Sequence, residues 1–371
     1  MKVHSLLSFF LILFTAACVD RINIDVGTST YFPVVIDGYI SDQPGPYKIK
    51  ITKAFDIQSK YSLREPVSVK RLVISDDHAT SEVLTQVSHG VYQTSPTGIR
   101  GTVGRVYKLN IELLDGRVYE TKPDTLYPAG TIDKVYHKFK AVKTDSLTTY
   151  GFDVFFNSTS GVKNKYNFLW KFVGTFQADT NPELYDTLCV EARCPKPLPC
   201  SSYILNKITG ELQNDYKPCL CCTCWYDFFN IEPLISSNQF IQNGRFTSVK
   251  ATYIPVNQWT FMYKVHAEVR QLSLSRQAFD FWKAVKAQQG AAASLFQPVT
   301  GKIVSNFVQI SGPTAEMEGL FFATSITSKA IFITREDVPN QLFIPPQNLP
   351  FKNTCRALFP NSTTTKPTFW N

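Results

Sequence analysis

Short stretches in which apolar and polar residues alternate recur through the first third of the chain. In the range 106–114, every second residue from Tyr107 onward is apolar, and Asp115-Gly116 follows directly. Alternation with a period of two places the apolar side chains on one face of a strand, and Asp-Gly between two such stretches favours a tight hairpin. Stretches of this kind at this spacing predict an immunoglobulin-like or transthyretin-like β-sandwich over residues 31–125.

A second and larger β-rich domain is predicted over residues 131–350, because alternating aromatic residues return beyond a linker at 123–130. One strand of this domain is predicted over 259–270, with His266 on its polar, solvent-facing side. The tail at 351–371 is predicted to be an extended segment.

A single helix is predicted at 276–289, with Ser275 as its N-cap and Gly290 at its end. Its aromatic stripe, which includes Trp282, is expected to pack into the core rather than to stack on a ligand. The predicted fold class is therefore mainly β, a sandwich followed by a larger β-rich domain with one packed α-helix.

The first 18 residues have the pattern of a cleaved export signal. Lys2 precedes a short apolar run at 6–14, and three small residues stand directly before Cys18. The run is shorter than the roughly 20 apolar residues that span a bilayer. The pattern predicts a lipoprotein in which Cys18 is acylated with palmitate and residues 19–30 form a tether; an ordinary secretory signal with a chance cysteine is the alternative.

The net charge of +8 is spread along the chain without a long run of like charge. This distribution is typical of a mildly basic, solvated surface and does not indicate a nucleic-acid partner. Abundant Phe and Tyr together with a charged fraction of 18% are typical of β-rich exported proteins.

The chain has nine cysteines, and assigning Cys18 to lipid leaves the even number expected of an exported, disulfide-bonded protein. Most lie in an insertion at 189–224, so at least one of these must pair outside it, and Cys355 is the candidate. Cys221 and Cys222 are adjacent and are expected to bond to different partners. The disulfide candidates are Cys189, Cys194, Cys200, Cys219, Cys221, Cys222, Cys224 and Cys355.

Two Cys-x-x-Cys spacings within the insertion are also used for zinc or iron–sulfur ligation. Disulfides account for all eight cysteines at once, so no metal and no cofactor are expected.

Other patterns that resemble catalytic or binding motifs have simpler structural explanations. The glycines at 98, 101 and 104 precede a strand rather than a helix, which favours a turn over a phosphate-binding loop. Asp76-Asp77 is interpreted as a turn, and no Gly-x-Ser-x-Gly elbow occurs. No catalytic residue is predicted.

Several motifs resemble one family along nearly the whole mature chain. They are Val35-Ile-Asp-Gly-Tyr-Ile-Ser-Asp42, Gly45-Pro-Tyr47, Gly98-Ile-Arg-Gly101, Gly104-Arg-Val-Tyr107, Asp115-Gly-Arg-Val-Tyr119, Cys224-Trp225, Ala278-Phe-Asp-Phe-Trp-Lys283 and Lys366-Pro-Thr-Phe-Trp370. These motifs are similar to those of Bacteroidota lipoproteins grouped as domain of unknown function 4249. The resemblance implies an outer-membrane lipoprotein, often encoded beside a TonB-dependent receptor, in a family without an established activity.

The expected function is that of a non-enzymatic outer-membrane lipoprotein, lipid-anchored and facing the periplasm or the cell surface, which serves as an accessory subunit of a TonB-dependent receptor. A free-standing surface-binding or adhesion lipoprotein is the alternative, and a hydrolase is the third possibility. The candidate partner contacts are Tyr203, Trp225 and Tyr226 of the insertion, whose alternative role is to cap the second domain.

Overall fold

The computed structural model describes residues 33–54, 65–143, 148–160, 167–185, 196–206, 208–236, 241–242, 244–292, 303–339, 342 and 351–371. The predicted signal peptide at 1–18, with Cys18, and the tether at 19–30 lie outside the described residues. Cys189 and Cys194 lie outside them as well.

The described residues are mainly in strands, which confirms the predicted fold class. The strands are β1 Val34–Ser41, β2 Lys48–Lys53, β3 Val69–Asp76, β4 Ser81–Val83, β5 Thr85–Ser88, β6 Val91–Gln93, β7 Val106–Leu113, β8 Val118–Thr121, β9 Asp124–Thr125, β10 Thr131–Lys143, β11 Thr148–Thr159, β12 Phe168–Asp179, β13 Tyr203–Leu205, β14 Leu212–Asn214, β15 Thr223–Phe229, β16 Leu234–Ile235, β17 Ile241–Gln242, β18 Arg245–Pro255, β19 Lys264–Ser273, β20 Phe307–Ser311, β21 Met317–Thr324 and β22 Ile326–Thr334. The helices are α1 Arg276–Ala292 and α2 Cys355–Leu358, and 3₁₀ turns occur at Pro182–Leu184, Pro199–Ser201 and Arg335–Asp337.

Two sheets enclose the core of an N-terminal sandwich. Sheet 1 has the strand order β21-β1-β2-β6-β5, and sheet 2 has the order β20-β8-β7-β3-β4 with β9 beside β7. Their inward residues form one apolar cluster, in which Ile36 and Ile49 of sheet 1 meet Leu109 and Ile111 of sheet 2. The alternation seen in the sequence of β7 recurs in its burial pattern, and β7 pairs with β8 across the predicted hairpin.

The N-terminal sandwich takes two of its strands from far along the chain. Strand β21 pairs in parallel with β1 over its whole length, and β20 pairs antiparallel with β8. The sequence predicts that residues 307–324 belong to the second domain, but they complete the first sandwich. Local periodicity shows that a stretch is a strand, but it carries no information about a pairing partner some 280 residues away.

A second sandwich follows, built from sheet 3 (β10-β11-β18-β17) and sheet 4 (β15-β12-β19-β22, with β16 beside β12). Its core is rich in aromatic rings, and Phe156 and Phe246 lie edge-on to Trp170 at centroid distances of 5.1 and 5.0 Å. The buried indole of Trp170 donates a 2.7 Å hydrogen bond to Gln271 Oε1, which satisfies its polar group inside the core.

Helix α1 lies where the two sandwiches meet. The Ser275 hydroxyl accepts a 3.1 Å hydrogen bond from the Ala278 amide, which confirms the predicted N-cap. The helix continues to Ala292, so Gly290 lies within its last turn instead of ending it. Its apolar face packs on a small cluster that joins Leu169 and Leu272 of sheet 4 to Phe322 of sheet 1.

Strand β19 begins at Lys264, later than predicted, because residues 258–261 form a turn. The Asn257 side chain accepts hydrogen bonds from the amides of Trp259 and Thr260 at 2.8 and 3.0 Å. These hydrogen bonds stabilise a local turn, and the strand begins only after it.

Candidate functional site

Three disulfides join all six cysteines that the structure describes. Cys200 pairs with Cys221, Cys219 with Cys222, and Cys224 with Cys355. The adjacent cysteines at 221 and 222 therefore have different partners, and Cys355 joins the C-terminal segment to the insertion, as predicted. Within the described ranges, no group of three or more His, Cys, Asp and Glu side chains is placed to hold a metal ion.

The disulfide-bonded part of the insertion carries a small hairpin, β13–β14, with apolar side chains directed to solvent. Ile208 in its turn is 95% exposed, and Tyr216 just after it is 97% exposed. Ile204 and Leu220 are also exposed, and the Leu220 amide bonds to the Cys200 carbonyl at 3.0 Å beside the disulfides. The hairpin and its base thus present four large apolar side chains on a cross-linked support.

The three predicted partner contacts occupy different environments. Tyr203 is half-buried at the start of β13. Tyr226 packs between Phe176 and Phe359 at centroid distances of 5.6 and 5.2 Å. Trp225 is only 9% exposed and forms a β-bridge with Thr363, so the C-terminal segment covers it.

The C-terminal segment, residues 351–371, was predicted to be extended, but it begins with helix α2 and then lies across the outer face of sheet 4. Trp370 is 4% exposed and donates a 3.2 Å hydrogen bond to Gln177 Oε1. Phe369 stacks on His266, which is therefore buried rather than solvent-facing as the sequence predicted. Strand β19 does place His266 on its outer side, but the C-terminal segment covers that side.

The glycine-rich loop at 98–104 is a turn, as predicted, and one amide of the loop and one just before it bond to a carboxylate of the same chain. The Glu82 carboxylate accepts hydrogen bonds from the amides of Ser95 and Ile99 at 2.5 and 2.6 Å. Gly104 has a φ of +91°, which suits glycine before β7 begins.

Asp76 is the last residue of β3, and Asp77 begins the turn predicted for this dipeptide. Its carboxylate accepts hydrogen bonds from the amides of His78 and Thr80 at 3.0 and 2.8 Å and pairs with Arg105 at 2.7 Å. Burial opposes ionisation, but these hydrogen bonds and the Arg105 charge together lower the pKa of Asp76.

A cleft of about 1070 Å³ lies between the two sandwiches. Its floor is the middle of the outer face of sheet 4, between the part covered by the C-terminal segment and the part covered by α1. Strands β1 and β2 form one wall, and the loop after β15 and one face of α1 form the others. The cleft is as large as the bigger small-molecule sites of proteins, which measure roughly 300–1,000 Å³.

Charged groups meet on the floor of this cleft. Lys171 of β12 stands directly opposite Arg270 of β19, and Arg270 pairs with Glu268 at 2.6 Å. Burial acts to raise the pKa of the Glu268 carboxyl, but the hydrogen bond and charge of Arg270 outweigh it, so that this pKa is lowered. Burial raises the pKa of Tyr39, whose ring lies 5.3 Å from the Lys171 ammonium.

The model of the family described as domain of unknown function (DUF4249) matches residues 19–330. The chain belongs to this family. No curated protein matches the chain. The DUF4249 match includes the cleft and the insertion, whereas Cys355 and the C-terminal segment lie beyond it.

No motif in the sequence predicts the cleft of this DUF4249 protein. One signal for it is present, because the aromatic alternation through β12 places Lys171 on the face opposite Trp170 and Phe172. Trp282 packs on the apolar cluster under α1, as predicted, and it also lines the cleft. No helix in the described ranges is both long and apolar enough to cross a membrane.

Proposed function

We propose that this protein is an outer-membrane lipoprotein of the Bacteroidota that acts, without catalytic activity of its own, as an accessory subunit of a TonB-dependent uptake receptor. The observation that carries the proposal is the exposed apolar surface of the insertion, where Ile208 and Tyr216 are almost fully accessible. Large apolar side chains grouped on one surface element favour a protein partner over solvent.

The disulfides support this role for the insertion. Cys200–Cys221 and Cys219–Cys222 cross-link the base of the hairpin, and Cys224–Cys355 attaches it to the C-terminal segment. A surface that is already rigid loses less conformational entropy when it binds. The insertion is therefore suited to a lasting contact despite its small size.

A lipid on Cys18 would strengthen the same contact. Two proteins confined to one membrane meet at a high effective concentration, so an interface that is weak in solution is still occupied. Replacement of Cys18 by Ser is expected to release the protein from the membrane fraction, and mass spectrometry of the wild-type N-terminus is expected to show the acyl chains. A wild-type protein without lipid would contradict the anchor.

Affinity purification from detergent-solubilised membranes tests the partnership. A TonB-dependent receptor is expected to co-purify with the wild-type protein and to be lost from the double variant I208S/Y216S. The matched control is V87S/L114S, which changes two apolar residues of the N-terminal sandwich that are 48% and 71% exposed.

The possible outcomes separate the parts of the proposal. If no TonB-dependent receptor co-purifies with the wild-type protein, the accessory-subunit function is wrong, and a free-standing binding or adhesion lipoprotein becomes the better account. If the receptor is retained by I208S/Y216S, only the assignment of the contact surface is wrong.

A further inference from the structure

Lys171 is the most unusual charged group in the cleft. Its side chain is half-buried on the outer face of sheet 4, and its ammonium lies over the ring of Tyr39. Among the residues that the structure describes, no hydrogen bond or ion pair reaches this ammonium within bonding distance. Burial lowers the pKa of Lys171, and the charge of Asp37 opposes this effect only in part.

Asp37 compensates the charge of Lys171 only in part, and the two charged neighbours on sheet 4 do not compensate it. Arg270 stands opposite it in the register of β12 and β19, and like charges in directly opposed positions destabilise a sheet. Glu268 is already held by Arg270 at 2.6 Å. With that pair counted as neutral, Lys171 is the remaining charge on the floor. Over the whole lining of the cleft, four basic side chains stand against three acidic ones, a net charge of +1: Lys48, Lys50, Lys171 and Arg270 against Asp37, Glu232 and Glu268.

Apolar surface lies within the same cleft. Phe229, at the end of β15, is 62% exposed, and Trp282 lines the cleft from α1. Val285, half-buried on α1, adds aliphatic surface. A cavity with much apolar lining and a few convergent polar groups is the usual form of a small-molecule site.

We propose that the cleft binds an organic monoanion, with its carboxylate on Lys171 and its apolar part against Phe229 and Trp282. A carboxylate supplies the single negative charge and the hydrogen-bond acceptors that the Lys171 ammonium lacks. A phosphate dianion fits less well, because the side chains that line the cleft carry a net charge of only +1. This site is separate from the insertion, and its occupancy does not depend on the receptor partnership.

Fluorescence titration of the purified full-length protein, with its disulfides intact, tests the site. The probes are dansylglycine, its neutral amide, and N-dansyl phosphoethanolamine as the dianion. The wild-type protein is expected to bind dansylglycine at least tenfold more tightly than either of the other two probes.

Two variants and a control separate the carboxylate contact from the apolar contact. K171M is expected to weaken dansylglycine binding at least tenfold and to leave binding of the amide unchanged. F229A is expected to weaken the binding of dansylglycine and the binding of its amide by a similar factor. K70M, which changes an exposed lysine of sheet 2 away from the cleft, is expected to bind all probes as the wild type does.

Replacing Lys171 by Met removes a poorly solvated charge, so the variant is expected to keep the wild-type unfolding temperature. The proposal is overturned if the wild-type protein binds none of the probes or binds the amide as tightly as the carboxylate. It is equally overturned if the dianion binds more tightly, or if K171M keeps the wild-type affinity for dansylglycine.

Discussion

Phe369 stacks on His266 with 4.1 Å between the ring centroids and 21° between the ring planes. The contact joins the last residues of the chain to the middle of sheet 4. Beside it, Lys264 Nζ donates a 2.6 Å hydrogen bond to the Asn371 carbonyl and lies over the Phe332 ring. The C-terminal segment is thus part of the second sandwich, and its contribution to stability is measurable.

The first prediction concerns Trp370, which is 4% exposed and bonded to Gln177. Replacing it by Ala removes a buried aromatic side chain and is expected to lower the free energy of unfolding by about 3 kcal/mol. Urea unfolding measures this change. K366A, at an exposed position of the same segment, is the control, and an equal effect of the two substitutions would show that the segment is not packed.

The second prediction compares two disulfides of very different span. Cys224 and Cys355 are separated by 131 positions, whereas Cys219 and Cys222 are separated by three. In the chain-entropy model, the longer bridge stabilises by about 5 kcal/mol and the shorter by about 1.6 kcal/mol. C224A/C355A is therefore expected to lower the unfolding temperature far more than C219A/C222A does.

Calorimetry of both double variants, each with its other disulfides verified by peptide mapping, provides the measurement. A larger loss of stability in C219A/C222A than in C224A/C355A would contradict the prediction.

The third prediction concerns the pH dependence of stability. Burial lowers the pKa of His266 below its ordinary value of 6.5, and the charges of Glu268 and Asp227 offset this only in part. The unfolded chain therefore binds more protons than the folded chain between the lowered pKa and 6.5. The stabilising contribution of His266 to the folded state is fully present above pH 6.5. The free energy of unfolding is expected to fall as the pH drops from 6.5 to the lowered pKa.

H266Q is expected to reduce the change in the free energy of unfolding between pH 7.5 and pH 5.5, as measured by urea unfolding at each pH. H89Q, at an exposed position, is the matched control. Identical profiles for the wild type and H266Q would show that burial of the imidazole has no energetic consequence.

The fourth prediction concerns Gly319, where β21 pairs with β1. Its φ is +98°, and a Cβ atom added there would collide with the backbone carbonyl of Ile36. Gly104 has a similar φ of +91° but open space around it. G104A is expected to lower the free energy of unfolding by about 1 kcal/mol through backbone strain alone. G319A is expected to lower it substantially more, because this substitution also disrupts the parallel pairing of β21 with β1.

Equilibrium unfolding of the two variants checks this difference. Equal losses would mean that the approach of Ile36 to Gly319 is not tight. Complete failure of G319A to fold, with G104A intact, would agree with the expected order.

Much of the strand content was predictable, since it depends on local pattern. The alternation through β7, the Asp115-Gly116 hairpin and the Ser275 cap all involve neighbouring residues, and each occurs as expected. The pairing of Cys355 with the insertion followed from parity alone, although its partner, Cys224, did not.

The sites were less predictable, because they are made by residues far apart in the chain. His266 was correctly placed on the outer side of its strand, but the sequence does not show that Phe369 covers it. Lys171 and Arg270 each occur at an outward position, but their apposition depends on the register between β12 and β19.

The amino-acid sequence by itself determined the mainly β class, the positions of many strands, the N-cap of the helix and the bonding of the insertion through cysteines. Hydrophobic periodicity, helix capping and the even number of cysteines are local or countable properties, so they can be recognised without knowledge of the fold. Only the tertiary structure decided that β20 and β21 complete the first sandwich, that the tail covers sheet 4, and that a charged cleft lies between the sandwiches. These features depend on strand register and on packing between distant segments, for which no short-range pattern exists.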